Sequence, residues 1–319
     1  MDLISDPLSN QAEWDFFCED YAEIAQENRL RVSFTLDLIK EFRGLGIDLI
    51  PLKGIDLLMR AYPSHGMRPM ADIDLLIRAK DISRVRKLFE DRGFTRKPDE
   101  GLTYISADRK INLDILWDIW YLPDKKSCDE MWRRAVSETY EGHALQFLHP
   151  EDAFLYLVAY VTAHRGVFSQ IFVQDLQIFL SRYGNDICWE KLQIRIKHLK
   201  LCAPAYHGLT YACTTGLEGI PDDWPAVLKP RTFWGKLETF FYTHCVSEKP
   251  QPKVSYLLTW LSYPGIRSKF KLLREKFFPS RFEFELHQGG HSLHQYLIFL
   301  VIHPFLIIAR SLLQFLRVK

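Results

Sequence analysis

Neither sign of charge dominates this sequence: 41 basic side chains face 40 acidic ones, a formal net charge of +1. Such a balance gives no overall attraction to a long polyanion or to an anionic membrane, and leaves room only for local patches. The six cysteines (Cys18, Cys128, Cys188, Cys202, Cys213, Cys245) include no C-x-x-C pair. That spacing argues against a zinc ribbon and a thioredoxin-like site, and a disulfide framework does not suit a chain of this length. Reduced, buried thiols in a cytoplasmic protein are the expectation. The opening Met1-Asp2-Leu3-Ile4-Ser5-Asp6 is acidic and lacks the basic-then-apolar order of a signal peptide. Internal repeats and low-complexity tracts are missing too. The strongest apolar run, Tyr296 to Ala309, is interrupted by His303-Pro304 and falls short of the ~20 residues that span a bilayer. A buried helix packed on the rest of the chain is expected there, with an interfacial membrane helix as the alternative.

What is present is a chain of 319 residues, 47% hydrophobic, long enough for about two ordinary domains. Residues 10–43 carry the three- and four-residue apolar period of a helix, which Gly44 punctuates. A short apolar run over 47–52 suits a strand, and a brief helical pattern follows through Leu57, Leu58 and Tyr62. Pro63 to Pro69 reads as a loop and Asp72 to Ile77 as a second strand. Asp81 is a natural N-cap for a helix ended by Gly93. Strands are expected at 102–106 and 111–120. From Pro150 onward helical periods take over, strongest at 151–164, 170–183 and 189–200. The domain division expected is therefore 1–148, with a small sheet, and 149–319, mainly helical.

The chemistry concentrates in Arg68-Pro-Met-Ala-Asp72-Ile-Asp74-Leu-Leu-Ile. On a strand, residues i and i+2 share a face, so Asp72 and Asp74 stand side by side. Adjacent carboxylates repel unless a cation lies between them. Magnesium, with manganese as a substitute, takes carboxylate and phosphate oxygens together, which suits a metal-bound nucleoside triphosphate. A third carboxylate completes a two-metal arrangement. Asp114 is the candidate because apolar neighbours flank it, and a buried carboxylate is costly without a cation. Asp118 is its competitor. Upstream, Lys53-Gly54 closes a strand and opens a helix, where backbone N–H groups and a lysine can receive phosphate. Arg68 can add a further positive charge. Singly these pieces are common, D-x-D in solvated strand ends and Lys-Gly in surface turns. Their order along the chain is what makes them specific.

With those residues in view, the sequence resembles the uncharacterised nucleotidyltransferase family of the DNA polymerase β-like superfamily. Pro51-Leu52-Lys53-Gly54, Tyr62-Pro63, Arg68-Pro69-Met70, Asp72-Ile73-Asp74-Leu75-Leu76 and Gly93-Phe94 carry the likeness. His149-Pro150-Glu151-Asp152, Ala163-His164, Gln174-Asp175-Leu176 and Phe277-Phe278-Pro279-Ser280 extend it into the helical half. The resemblance implies an α+β fold: a minimal polymerase β-like domain with a small mixed sheet, followed by helices. It implies metal binding by Asp72 and Asp74, a third carboxylate at Asp114, and phosphate binding by Lys53 and Gly54. Where the family often has a histidine two residues after the third carboxylate, this chain has Leu116.

Two further groups are candidates. His164 and Asp175 lie on neighbouring helical patterns and can either reach the nucleotide or tie two helices together. His287, His291 and His294 have spacings a zinc site can use, but Gly289 and Gly290 intervene and no fourth ligand is evident. The expected activity is in-line transfer of a nucleoside monophosphate from a nucleoside triphosphate to an unidentified acceptor, small molecule, peptide, protein or RNA, with release of pyrophosphate. Asp114 is expected to help deprotonate the acceptor. The alternatives are an inert nucleotide-binding or interaction module and a toxin- or antitoxin-type modifier of RNA or protein.

Overall fold

The computed structural model describes residues 7–97, 101–122, 124–160, 169–245, 260, 265–278, 284 and 292–316. It is an α+β structure built on a five-stranded mixed sheet of order β1-β2-β5-β4-β3. The strands are β1 (Leu49–Leu52), β2 (Ile73–Ile77), β3 (Thr95–Arg96), β4 (Thr103–Ile105) and β5 (Asn112–Leu116). β2 and β5 run parallel, while the β1–β2, β4–β5 and β3–β4 pairs are antiparallel. Helix α1 (Pro7–Gly44) precedes the sheet, α2 (Lys53–Arg60) follows β1, and α3 (Ile82–Asp91) follows β2.

The two-residue period of the strands divides the core. Odd-numbered β2 and β5 residues (Ile73, Leu75, Ile77, Leu113, Ile115) pack with Leu38 and Phe42 of α1 and with Val85 and Phe89 of α3. The even-numbered face carries Leu76, and beneath the helical half it joins Ile50, Leu52, Leu57 and Leu58. That half consists of α5 (Pro150–Tyr160), α6 (Gln170–Tyr183), α7 (Trp189–His198), α8 (Cys202–Thr214), α9 (Trp224–Leu228) and α10 (Phe233–Cys245). Phe154, Leu176, Phe179, Leu192 and Leu209 belong to the same buried cluster as Leu52 and Leu76, so residues on both sides of 148 share one core.

Several local expectations need correction. Asp81 does precede α3, but its carboxylate makes no cap; it accepts from Arg84 at 3.1 Å instead. The last sheet strand ends at Leu116, not at residue 120. Helix α4 (Lys125–Arg134) and a hairpin of β6 (Val136–Tyr140) and β7 (His143–Phe147) occupy a stretch for which no element was expected. Glu141 and Gly142, both at positive φ, turn that hairpin tightly. Of the described thiols none is fully buried: Cys18 is exposed, and Cys128, Cys188, Cys202 and Cys213 are half-buried and unpaired. The C-terminal helix (Leu293–Leu316) exists, with Pro304 inside it, but none of its residues over 293–305 is buried. Among the described residues no helix is long and apolar enough to cross a membrane.

Charged ties hold the helices to the sheet domain. Arg134 of α4 donates to Asp152 of α5 at 2.9 and 3.0 Å, and Arg195 of α7 bridges Asp152 and Glu151 at 2.7 and 3.1 Å. Arg60, at the end of α2, donates to Asp56 and to Glu138 of β6, and its guanidinium lies against the rings of Phe147 and Tyr183. His207 of α8 stacks on Tyr242 of α10 and shares a 3.1 Å hydrogen bond with Thr239.

Burial holds the His207 imidazole down at about 4, so it is neutral in the fold at neutral pH. An unfolded histidine takes up its proton near pH 6.5. Its contribution to stability is therefore present above pH 6.5 and lost as the pH falls through the folded value. Between pH 6.5 and 4 the wild type should lose on the order of 1–2 kcal/mol more than His207→Phe, after discounting for the group's partial exposure. Urea unfolding across that range checks it; parallel pH profiles would remove His207 as the cause.

Candidate active site

Parallel pairing of β2 with β5 places Asp74 and Asp114 opposite one another, and antiparallel pairing with β1 sets Leu52 against Asp74. Asp72 lies two residues before Asp74, at the mouth of the same strand. Asp74 is buried, while Asp72 and Asp114 are partly open to solvent. Asp74 and Asp114 share the sheet face of Leu76, which the helical half covers, and Asp72 just precedes β2. Asp118 lies beyond the strand and is exposed, so the register favours Asp114 as Asp74's neighbour.

Burial pushes the Asp74 carboxyl up, the Lys53 ammonium opposes this, and the negative charges of Asp72 and Asp114 add to the rise, leaving it at about 6. Lys53 Nζ donates to Asp74 Oδ1 at 2.5 Å and stands 3.8 Å from the centre of the Tyr160 ring. Burial, the largest single influence, would pull the lysine down; the Asp74 carboxylate with Tyr156 and Tyr160 together outweigh it, and the net direction is up. Lys53 adopts φ +52°, a left-handed conformation that is uncommon for a side chain of this kind. Strain of this sort costs of order 1 kcal/mol and gathers at functional sites. Here it lets the chain leave β1 and enter α2 with the ammonium aimed back at the carboxylates.

Two tyrosines of α5 complete this corner, and the sequence reading passed over both. Tyr160 lies under the Lys53 ammonium. Tyr156, fully buried, lies within electrostatic reach of Lys53, Asp74 and Asp114, and its hydroxyl has no hydrogen-bond partner among the described residues. An orphaned buried hydroxyl costs roughly 1–3 kcal/mol, which makes it a natural contact for a ligand oxygen. Spaced four apart on an apolar helix, the pair looks like ordinary core; the only sequence signal was its place just after His149-Pro150.

Gly54 and Arg68 take up different duties from those expected. A Cβ at Gly54 would run into the Arg68 guanidinium and lie 2.7 Å from Met70 Sδ. Arg68 itself donates to both oxygens of Asp175 on α6, at 2.7 and 2.9 Å, and the Tyr62 hydroxyl donates to the same carboxylate at 2.7 Å. Asp175 is thus the anchor that ties the helical half to the loop before the carboxylates. From the other side, buried Asn28 of α1 donates to the carbonyls of His65 and Arg68, at 2.7 Å each. His164, His287 and His291 lie outside the described residues, and His294 is exposed on the C-terminal helix.

Among the described residues, no three His, Cys, Asp or Glu side chains converge closely enough to hold a metal as they stand. The donor set nevertheless suits a hard divalent ion. Two carboxylates face each other on one strand pair with a third just before it, the buried one is raised by burial and by the others, and an orphaned hydroxyl lies within electrostatic reach.

The chain belongs to the uncharacterised nucleotidyltransferase family, whose model matches residues 10–215, more than half of its length. Nucleotidyl transfer is the general activity that family stands for. Among solved structures it is similar to the antibiotic-resistance factor ANT(2'')-Ia, at 13% identity and a TM-score of 0.41, over 59% of this chain and 99% of that one. It is also similar to an antigenic nucleotidyltransferase-like protein from Paracoccidioides brasiliensis, at 15% identity and a TM-score of 0.36, over 61% and 95%. Neither likeness is close enough to transfer a substrate or a residue role. Among curated proteins none matches the chain.

Two outcomes follow from this geometry. Gly54→Ala should cost about 1–3 kcal/mol in urea denaturation, because Arg68 is held by two bonds and cannot retreat freely; an unchanged midpoint would mean the contact is slack. The Asp74 carboxyl should titrate near pH 6 by carbon-detected NMR, ionised above and protonated below. Lys53→Met removes the group that lowers it and should move the midpoint upward by a unit or more. A midpoint near 4 in both proteins would contradict the buried, crowded setting.

Proposed function

We propose that the chain transfers a nucleoside monophosphate from a nucleoside triphosphate to an acceptor nucleophile, and releases pyrophosphate. The observation that carries this reading is the in-register pairing of Asp74 with Asp114, with Asp72 two residues away and Lys53 at the same corner. Asp72, Asp74 and Asp114 are the residues that would hold magnesium or manganese. Such an ion, when bound, neutralises triphosphate charge and polarises the phosphoryl oxygens.

The chain's own groups have separable tasks. Lys53 keeps Asp74 ionised in the free protein by giving a buried carboxylate a positive neighbour. With a triphosphate present, its ammonium is placed to turn toward the incoming negative charge, since it leaves α2's first turn on the same side. Asp114, less buried than Asp74, is suited to accept a proton from the attacking hydroxyl. Tyr156 offers its unmatched hydroxyl to a phosphate or acceptor oxygen. Arg68 acts by position: fixed on Asp175, it holds the loop that presents Asp72. Its Nε and Nη2 are taken by Asp175, which leaves Nη1 as the nitrogen that could meet phosphate. The role expected for His164 in nucleotide binding remains part of this proposal.

Calorimetry with the common nucleoside triphosphates, with and without magnesium, tests this directly. Wild-type protein should bind at least one of them in a magnesium-dependent manner. Asp72→Asn/Asp74→Asn should lose that binding by on the order of 100-fold or more while keeping its fold by circular dichroism. If the folded wild type binds no triphosphate under any condition, the interaction-module reading replaces this one.

A further inference from the structure

The C-terminal helix presents two apolar sides. Phe299 lies 4.9 Å and Tyr296 5.6 Å, ring to ring, from Phe284, and His303 reaches the carbonyl of Phe277. That is its packed side. On the other side Leu293, Leu297, Ile298, Val301, Ile302 and Phe305 are between 47% and 70% exposed. At 100° per residue these six fill a sector of about 180°, opposite the packed one. Large apolar side chains are rarely grouped in this way on a surface that meets only water.

What covers this face is indicated by charge. Residues 293–316 contain no acidic side chain. The helix packed beside them, Gly265–Phe277, is rich in basic residues (GIRSKFKLLREKF) and carries a single acid, Glu275. Phe270, Lys271, Arg274 and Phe278 are all exposed there, and on the same wheel they fall within about 100° of one another. Exposed phenylalanines interleaved with cations match a surface that is apolar within and anionic at its boundary. Another protein's apolar patch would not call for the cations.

We propose that this end of the molecule is a peripheral membrane-docking surface. The C-terminal helix lies in the plane of an anionic bilayer with its Leu297–Phe305 face buried, and Lys271 and Arg274 meet lipid phosphates. Arg310, Arg317 and Lys319 continue the positive charge along the sequence. The near-neutral net charge of the whole chain does not oppose this, because the attraction is local and acts within a Debye length of the surface.

Vesicle flotation of the full chain tests the proposal. Vesicles of phosphatidylcholine with about 30% phosphatidylserine should capture the protein, and pure phosphatidylcholine should capture it roughly tenfold less well. Raising salt from about 0.1 to 0.5 M should release most of it. Leu297→Asp/Val301→Asp should reduce capture by about tenfold or more. Lys271→Glu/Arg274→Glu should do so on anionic vesicles while leaving the apolar face intact. Both variants change exposed side chains, and an unaltered far-UV spectrum and melting midpoint verify the fold. No capture by either vesicle overturns the proposal. So does equal, salt-independent capture by both. A concentration-dependent dimer that Leu297→Asp/Val301→Asp dissociates, with no flotation, would assign the face to a second copy of the chain instead.

Discussion

Asp74 is 3% exposed and stands between two other carboxylates, and much of the chain around it is arranged to make that charge tolerable. A lone buried carboxylate takes a proton rather than remain ionised. Here an ammonium is brought to 2.5 Å, at the cost of a left-handed backbone at Lys53. The aromatic face of Tyr160 then shields that ammonium from water. The result is a buried carboxylate raised to about 6 by its crowded setting and kept ionised at neutral pH by the ammonium beside it. That is the property a site for charged substrates needs, and it explains why a strained residue and an unpaired tyrosine hydroxyl persist side by side.

The same corner depends on the helical half. Asp74 and Asp114 share their sheet face with Leu76, and that leucine requires the cover of α5 and α6. The cover is fastened by polar contacts of α6: Arg68 and Tyr62 on Asp175, and Tyr183 on Glu138 of β6. From the far side Asn28 fixes the loop between α2 and β2 through two carbonyls. A buried bidentate ion pair loses much more when one partner is removed than it contributes as a pair. These ties therefore specify where the loop lies more than they add to stability.

How much of this could be read from the residues depends on which period carried the information. The even spacing of Asp72 and Asp74 and the apolar flanks of Asp114 were the legible signals for grouping three carboxylates; the register sets Asp114 opposite Asp74, and Asp72 just precedes the strand. Tyr156 and Tyr160 were illegible because an aromatic pair four apart on an apolar helix has the same pattern whether it faces core or ligand. The tie of Arg68 to Asp175 was illegible because the two lie 107 positions apart, and sequence spacing carries no trace of such a contact. The Val136–Phe147 hairpin did carry a local signal, in the Glu141-Gly142 turn between alternating strands, and was missed beside the stronger helical periods. The C-terminal helix failed differently. Both of its sides are apolar, so periodicity could not say which one the protein covers.

That last failure bears on how the molecule is divided. In the sheet domain and in α5–α9, buried charges find partners and most apolar side chains find cover. From α10 onward the pattern reverses: Phe233, Phe240, Phe270 and Phe278 are more than half exposed, as are most of the apolar residues along the outer side of the C-terminal helix. A domain that could bury these groups on itself would gain free energy by doing so, at about 25 cal/mol per Å² of apolar surface. Their arrangement in sectors, beside cations and with no acid on the C-terminal helix, is what the proposed outside surface would account for. The carboxylate corner and this apolar end lie at opposite ends of the sequence and rely on opposite physics, one on charges crowded out of water and the other on apolar groups left in it. A substitution at either should therefore leave the other's binding unchanged, which makes the two properties separable in the same protein.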